Sequence, residues 1–267
     1  MLLLKMKILL YSPGTYGLGH LIRCLKIANQ LSQDLPELSQ FLITGSNYIP
    51  YFEIPESLDY LKLPTITKTI TGEYQSKILS LDMKAVKKLR EAIILETVKQ
   101  YRPDLFLVDK LPAGAEGEIV KSLYFLKQYC PNTKIVLGMR DIDDERRLVF
   151  NQWQKQGVYQ LLENVYNTIL LYGTRRTFDP VSEYQFSPKA AQKVVVCGYL
   201  GSFDLKISPS QIVRQHLKMK TNKLVLVTVG GGGDGLYILQ TFLKMLEKLG
   251  PNRVDFDSVM VTGPLMP

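Results

Sequence analysis

The residues with the clearest chemical potential lie in one short stretch, Gly14-Thr15-Tyr16-Gly17-Leu18-Gly19-His20, which follows an apolar run and opens a helical pattern. Glycines at such a turn let the backbone fold sharply and come close to a ligand. The first turn of the helix that follows offers unpaired N–H groups and a partial positive charge. A polar ligand is the expectation. His20 is one of only two histidines in the chain. At a helix N-terminus the local dipole disfavours its protonation, which leaves a neutral imidazole able to act as a general base. A hydrogen-bonded structural histidine is the plainer reading. The other, His216, falls in a polar connecting segment and is read as incidental.

A carboxylate that could serve the histidine is Asp109, the last residue of the apolar run 105–109. In a doubly wound sheet, the strand that follows the first crossover reversal lies beside strand one. Asp109 is then expected across the switch point from His20, orienting its ring and stabilising the protonated form. The alternative is a helix cap, with the carboxylate accepting backbone N–H bonds near Pro112 at the start of a helix from Ala113. A second glycine turn, Gly230-Gly231-Gly232-Gly233-Asp234-Gly235, repeats the order of strand, glycines and helix. Its N–H groups suit a phosphate, or its glycines simply let helix and strand pack closely.

Two common phosphate-site patterns do not fit. A dinucleotide site wants G-x-G-x-x-G and an acidic residue about 20 residues further on, at the end of the second strand. Here the spacing is G-x-x-G-x-G-H, and the second strand ends in Thr44-Gly45-Ser46-Asn47. There is no G-x-x-x-x-G-K-[ST] either, so nicotinamide chemistry and P-loop hydrolysis are disfavoured and no cofactor is expected. The run Asp141-Ile142-Asp143-Asp144-Glu145 invites a metal reading, but carboxylates entering a helix complement its dipole, and no metal is expected.

These residues need a scaffold, and alternating strands and helices supply one. Apolar runs at 7–11, 41–44, 58–63, 105–109, 134–138 and 168–172 read as strands, several continuous enough for burial on both faces. Helical patterns occupy 18–32, 81–101, 114–128 and 144–166, and 64–80 reads as loop. The order predicts an α/β fold whose residues 1–201 form a Rossmann-like domain around a doubly wound parallel sheet. A linker spans 202–222, with a short helix near 211–217. From 223 a strand to 229, the second glycine turn, a helix to 249 and a strand at 258–262 make one β-α-β unit, residues 223–267. Two strands and a helix bury no core alone. The unit therefore either extends the first sheet or, the reading favoured, begins a second Rossmann-like domain that is incomplete here.

Composition sets outer limits. With 267 residues, 46% of them hydrophobic and 22% charged, the chain has the balance of a globular protein with a sizeable core. Lys5 and Lys7 interrupt the opening Met1-Leu2-Leu3-Leu4, which reads as the approach to a strand rather than a leader. Three cysteines, Cys24, Cys130 and Cys197, have no metal spacing and read as free thiols of a reducing compartment, the cytoplasm by default. The net charge of +8 favours anionic partners. Lys84, Lys87, Lys88 and Arg90 read as a solvated helix face, or as a patch for peripheral contact with the inner face of a membrane. No nucleic-acid partner is expected, because no module motif interleaves aromatics with this charge.

The stretch Gly17-Leu18-Gly19-His20-Leu21-Ile22-Arg23-Cys24-Leu25-Lys26-Ile27-Ala28 resembles the G-x-G-H-x-x-R-x-L-x-x-A opening of GT-B superfamily proteins that handle sugar nucleotides. These include the peptidoglycan N-acetylglucosaminyltransferase, bacterial glycosyltransferases with a family 28-like C-terminal half, and the sugar-nucleotide hydrolase of the pseudaminic acid pathway. The resemblance extends to Pro103-Asp104-Leu105-Phe106-Leu107-Val108-Asp109, to Gly138-Met139-Arg140-Asp141 and to Leu224-Val225-Leu226-Val227-Thr228-Val229-Gly230-Gly231-Gly232. It implies two Rossmann-like domains facing across a cleft, the N-terminal one binding an acceptor and the C-terminal one a nucleotide sugar, UDP-linked by preference. It also implies a metal-independent glycosyltransferase of the hexosyltransferase type.

On that reading His20 takes the proton of the acceptor hydroxyl and Asp109 supports it. Gly17, Gly19, Arg23, Tyr16 and Arg140 meet a small-molecule or lipid-linked acceptor, and Gly230, Gly231, Gly232 and Gly233 receive the donor diphosphate. The sequence departs from the family by stopping just after the second strand of the C-terminal domain, so contacts to base and ribose fall outside it. A nucleotide-sugar hydrolase of the same fold, and a non-catalytic acceptor-binding subunit completed by a partner chain, are the alternatives.

Overall fold

The computed structural model describes residues 5–14, 17–35, 37–68, 73–201, 209–231, 235–250, 253–263 and 266. The chain divides into two compact units, Met1–Gly201 and Ser202–Pro267. The first is built on β1 (Met6–Ser12), whose Ile8, Leu9, Leu10 and Tyr11 are all buried. A strand that is apolar at consecutive positions has both faces covered, and this one lies in the middle of its sheet. After it come α1 (Gly19–Asp34), β2 (Leu38–Thr44), β3 (Leu58–Lys62), β4 (Ile66–Lys68), β5 (Tyr74–Ser76), α2 (Met83–Tyr101) and β6 (Leu105–Asp109). Then follow α3 (Val120–Tyr129), β7 (Lys134–Arg140), α4 (Arg146–Gln156), α5 (Val158–Asn164), β8 (Thr168–Tyr172), α6 (Pro180–Glu183), α7 (Pro188–Ala191) and β9 (Val194–Val196).

Seven strands form one parallel sheet in the order β3-β2-β1-β6-β7-β8-β9. The order reverses between β1 and β6, which makes their carboxyl ends the topological switch point. On one face Leu21, Cys24, Leu25 and Ala28 of α1 pack on Ile8, Leu10 and Leu42. On the other, Ile94 and Val98 of α2, Leu123 and Leu126 of α3, and Trp153 and Leu161 beyond them cover Leu9, Phe106 and Ile135. Full burial of an aliphatic side chain is worth roughly 1.5–3 kcal/mol. Packing on the two faces, rather than helix propensity, therefore holds these helices in place.

Several expectations are corrected in detail. The stretch 64–80 is not all loop: β4 and β5 pair as a small antiparallel hairpin, and Ile66 packs with Val86 and Ala115. Three-residue strands are too short to show a period. The helix expected from 114 starts only at Val120, because Gly114, Glu116 and Gly117 take φ of 72°, 53° and 82°. The long helix expected over 144–166 is broken by Gly157 at φ 66°, which ends α4 and precedes α5. Strand β2 begins at Leu38 rather than 41. Its buried Gln40 looks out of place in the sequence, but its amide donates to Ala28 O and to the hydroxyls of Ser32 and Ser57.

The second unit holds α8 (Ser210–His216), β10 (Leu224–Thr228), α9 (Leu236–Leu249) and β11 (Asp257–Val261). Strands β10 and β11 pair in parallel as a sheet of their own, so they do not extend the seven-stranded one. Val227 and Leu239 are buried there, whereas Leu226 and Ile238 are 60% and 55% exposed. Residues 202–208 of the expected linker lie outside the described residues. No helix among the described residues is long and apolar enough to cross a membrane.

One member of the supposed solvated face is nothing of the kind. Val86, Arg90, Ile94 and Val98 share the inward stripe of α2, and the Arg90 side chain is fully buried. Its Nε and Nη2 each donate to Glu118 at 2.6 Å, Nη1 donates to Pro64 O at 2.5 Å, and Nη2 reaches Pro13 O at 3.4 Å. Tyr11 completes the cluster, donating its hydroxyl to Glu118 at 2.5 Å and accepting from Ala115 N. Burial would push the Arg90 guanidinium down, but the hydrogen bonds and charge of Glu118 outweigh it and keep it ionised. Removing one partner strands the other in a dry interior, a change that costs about 3–5 kcal/mol. Arg90→Met is expected to lose that much in urea unfolding at neutral pH. The double variant Arg90→Met/Glu118→Met should lose clearly less than the sum of the single changes, and additive losses would contradict the pairing.

Candidate functional site

The site forms where the β1 turn meets the end of β6. Gly17 has φ 69° with open space where a Cβ would point, so backbone conformation rather than crowding calls for glycine there. Leu18, the residue before α1, provides no side-chain cap, so no side chain there competes with a ligand for the first-turn N–H groups. Gly19 is exposed, and a Cβ on it would lie 3.3 Å from the Arg23 guanidinium.

His20 and Arg23, one turn apart on α1, both turn to Asp109. Register places Tyr11 beside Val108, so Asp109 is one residue past the last β1–β6 pair and opposite the glycine turn. The His20 Nδ1 lies 2.6 Å from Asp109 Oδ2. Arg23 grips the same carboxylate in a fork, Nε to Oδ1 at 2.9 Å and Nη2 to Oδ2 at 2.8 Å. Asp109 is only 2% exposed and His20 9%. The carboxylate is thus spent on side chains, and the helix-cap reading of Asp109 is set aside. Arg23 forms the salt bridge that was one of its two expected roles.

Burial is the largest single influence on each member of the pair. It holds the His20 pKa below the ordinary histidine value, opposed by the hydrogen bond and charge of Asp109 and assisted by the positive charges of Arg23 and Lys110. Burial pushes the Asp109 carboxyl up, but the hydrogen bonds from His20 and Arg23 outweigh it and leave the pKa below the usual carboxylate value. With Asp109 ionised, Nδ1 must be the donor. The neutral ring then carries its lone pair on Nε2, which no described residue hydrogen-bonds. A neutral imidazole oriented by a carboxylate, with a free basic nitrogen at the switch point, can take a proton from a bound hydroxyl or water.

Lys110 was not expected and belongs to the same neighbourhood. It sits at φ 65°, a left-handed conformation that costs a non-glycine residue about 1–3 kcal/mol. Its N–H donates to Gly138 O at 2.7 Å and its ammonium pairs with Asp143 at 2.6 Å. Nothing in its residue type or position marked it; only the strand end before it did. Two more carboxylates of 141–145 are also engaged: Asp141 accepts from Tyr199 OH, and Asp144 from the N–H of Glu145. No three metal-ligating groups come together among the described residues.

Arg140 ends β7 two strands from β1, on the same edge of the sheet as Asp109. Tyr172, its register partner on β8, was also missed; its ring lies over Gly138 where a Cβ would collide with it. Burial, and then the charge of Asp109, raises the Tyr172 pKa far above the ordinary value, so the hydroxyl stays protonated. Tyr16, Gly232 and Gly233 lie outside the described residues. Gly230, at φ 56°, and Gly231 form a turn of the second unit.

The His20 titration can be followed directly. Its imidazole resonances, assigned with His20→Ala, should show a midpoint below about 6.5. Asp109→Asn should lower that midpoint further, because it removes the influence that raises it. A midpoint at or above the ordinary value in the parent protein would contradict this account of the site.

No family model matches the chain, and no curated protein matches it either. Solved structures do. A glycosyltransferase from Rickettsia africae superposes with a TM-score of 0.56 at 14% identity, covering 97% of this chain and 60% of its own. A Listeria monocytogenes protein described as a UDP-N-acetylglucosamine 2-epimerase gives 0.55 at 13%, covering 97% and 63%. HepE from Anabaena, in complex with UDP-glucose, gives 0.51 at 17%, covering 96% and 60%. The chain therefore spans less than two thirds of the length of each of these structures. Over the part of their length that it spans, the chain shares the Rossmann-like α/β fold of these structures.

Proposed function

We propose that this chain is the acceptor-binding part of a GT-B glycosyltransferase together with the beginning of its donor domain, and that His20 is the general base. Supporting this reading above all is the His20–Asp109 pair, 2.6 Å apart at the switch point with Nε2 left free. In the reaction, Nε2 takes the proton of an acceptor hydroxyl as that oxygen attacks the anomeric carbon of a nucleotide sugar. The bond from that carbon to the diphosphate breaks, and the nucleoside diphosphate departs with the electron pair. Asp109 holds the ring in the required tautomer and stabilises the imidazolium that forms, while Arg23 holds Asp109. Gly230 to Gly233 are the backbone donors assigned to the diphosphate. Bound UDP and UDP-glucose in fold neighbours support a UDP-sugar as donor.

The test is UDP release from a panel of UDP-sugars by the full-length protein, with and without hydroxyl acceptors. Acceptor-dependent release is expected. His20→Ala should lower kcat about 10²–10⁴-fold, with the donor KM changing far less. Because the His20 pKa is lowered, the rate should climb with pH below about 6.5, as the base sheds its proton, and be level at neutral pH. Equally fast release without acceptor would mean hydrolysis of the donor instead. Unchanged turnover in His20→Ala would overturn the assignment of the base.

A further inference from the structure

Arg140 occupies an unusual position for a cation. Parallel register pairs Asp109 with Gly138 and Arg140 with Tyr172, and residues two apart on a strand share a face. Asp109, Gly138, Arg140 and Tyr172 therefore all project to the α1 side of the sheet at its carboxyl edge. Three carboxylates in or just after the strands of this edge are committed elsewhere. Asp109 is saturated by His20 and Arg23, Asp141 accepts from Tyr199, and Asp143 pairs with Lys110.

Arg140 makes no ion pair among the described residues, and its Nε is sealed from water with no acceptor. Two hydroxyls on the same edge are also buried without a partner: Ser12 Oγ at the end of β1 and Tyr172 OH at the end of β8, residues 0% and 6% exposed. Buried polar groups are almost always satisfied, and donors left without acceptors along the carboxyl edge of the sheet, beside its switch point, are where a ligand's acceptor atoms would be expected.

We infer that Arg140 selects an acceptor carrying an anionic group, a carboxylate or a phosphate, which it binds one strand beyond the His20–Asp109 pair. Resting on the reading of this edge as the acceptor site, the inference narrows the acceptor to an acidic molecule. A guanidinium suits such a group because its fork can donate two parallel hydrogen bonds to one anion. The attacking hydroxyl is then held at His20 by a charge fixed elsewhere on the molecule. The donor diphosphate is a second possible source of the anion, and its contribution is separable by experiment.

Calorimetric titration of the full-length protein with glucose, glucuronate and glucose 6-phosphate isolates the charge, since the three differ chiefly at one carbon. Glucuronate or glucose 6-phosphate should bind roughly ten-fold or more tighter than glucose. Arg140→Gln should abolish that preference, and Arg140→Lys should retain part of it, with far-ultraviolet circular dichroism showing both variants folded. A parent protein that does not prefer the anionic sugars, or a preference that survives Arg140→Gln, would overturn the inference. So would a loss in Arg140→Gln confined to the affinity for UDP, which would assign the guanidinium to the donor. Failure of the parent protein to bind UDP would count against the transferase reading and leave the anion preference as a separate result.

Discussion

The arrangement of this unit depends on a buried ion pair. Arg90 and Glu118 meet in a dry interior, and between them they engage three other parts of the chain: the end of β1 through Tyr11, the turn after it through Pro13 O, and the approach to β4 through Pro64 O, while the Tyr11 hydroxyl in turn accepts from Ala115 N. Each carbonyl or N–H so engaged belongs to irregular backbone that lacks sheet or helix partners. The pair thus does for the loops what ladder hydrogen bonds do for the strands. An apolar pair of the same volume would fill the space but leave those backbone groups unsatisfied.

The edge of the sheet shows two arginines in opposite circumstances. Arg23 is committed within the site: its Nε and Nη2 close on Asp109 and fix the carboxylate that in turn fixes His20. Burial would otherwise favour a protonated, neutral Asp109. The neighbouring guanidinium and imidazole reverse that balance, so the acid is ionised where the histidine needs an acceptor. Arg140 has no such partner among the described residues.

Sequence was most legible where the physics is local and periodic. The continuous apolar runs of β1, β6, β7 and β8 and the apolar spacing of α1 identified a parallel sheet, and placing Asp109 beside the first strand followed from how such sheets are wound. The parts that were misread are those decided by tertiary context. Arg90 sits among lysines along the chain and looks solvated until Glu118, 28 residues later, closes on it. Gln40 interrupts an apolar strand because its amide nitrogen donates to Ala28 O and to the hydroxyls of Ser32 and Ser57. Gly157 breaks a helical pattern because only its positive φ turns the chain there. Lys110 and Tyr172 gave no signal of their own. Their importance comes from neighbours on other strands, although Gly138, whose missing side chain makes room for the tyrosine ring, was a trace of it.

The central position of β1 also bears on how the chain is made. It is made before every other strand of its sheet, yet its partner on one side begins only after nearly a hundred residues, as the bond from Lys7 N to Asp104 across 97 positions shows. At a synthesis rate of roughly 5–20 residues per second, an apolar strand meant for complete burial waits some seconds with one edge and one face exposed. Pairing with β2 and coverage by α1 come within that interval and shield half of it. A nascent chain of this topology therefore passes through a stage in which chaperone capture and aggregation compete with folding, and its yield in the cell is set partly there.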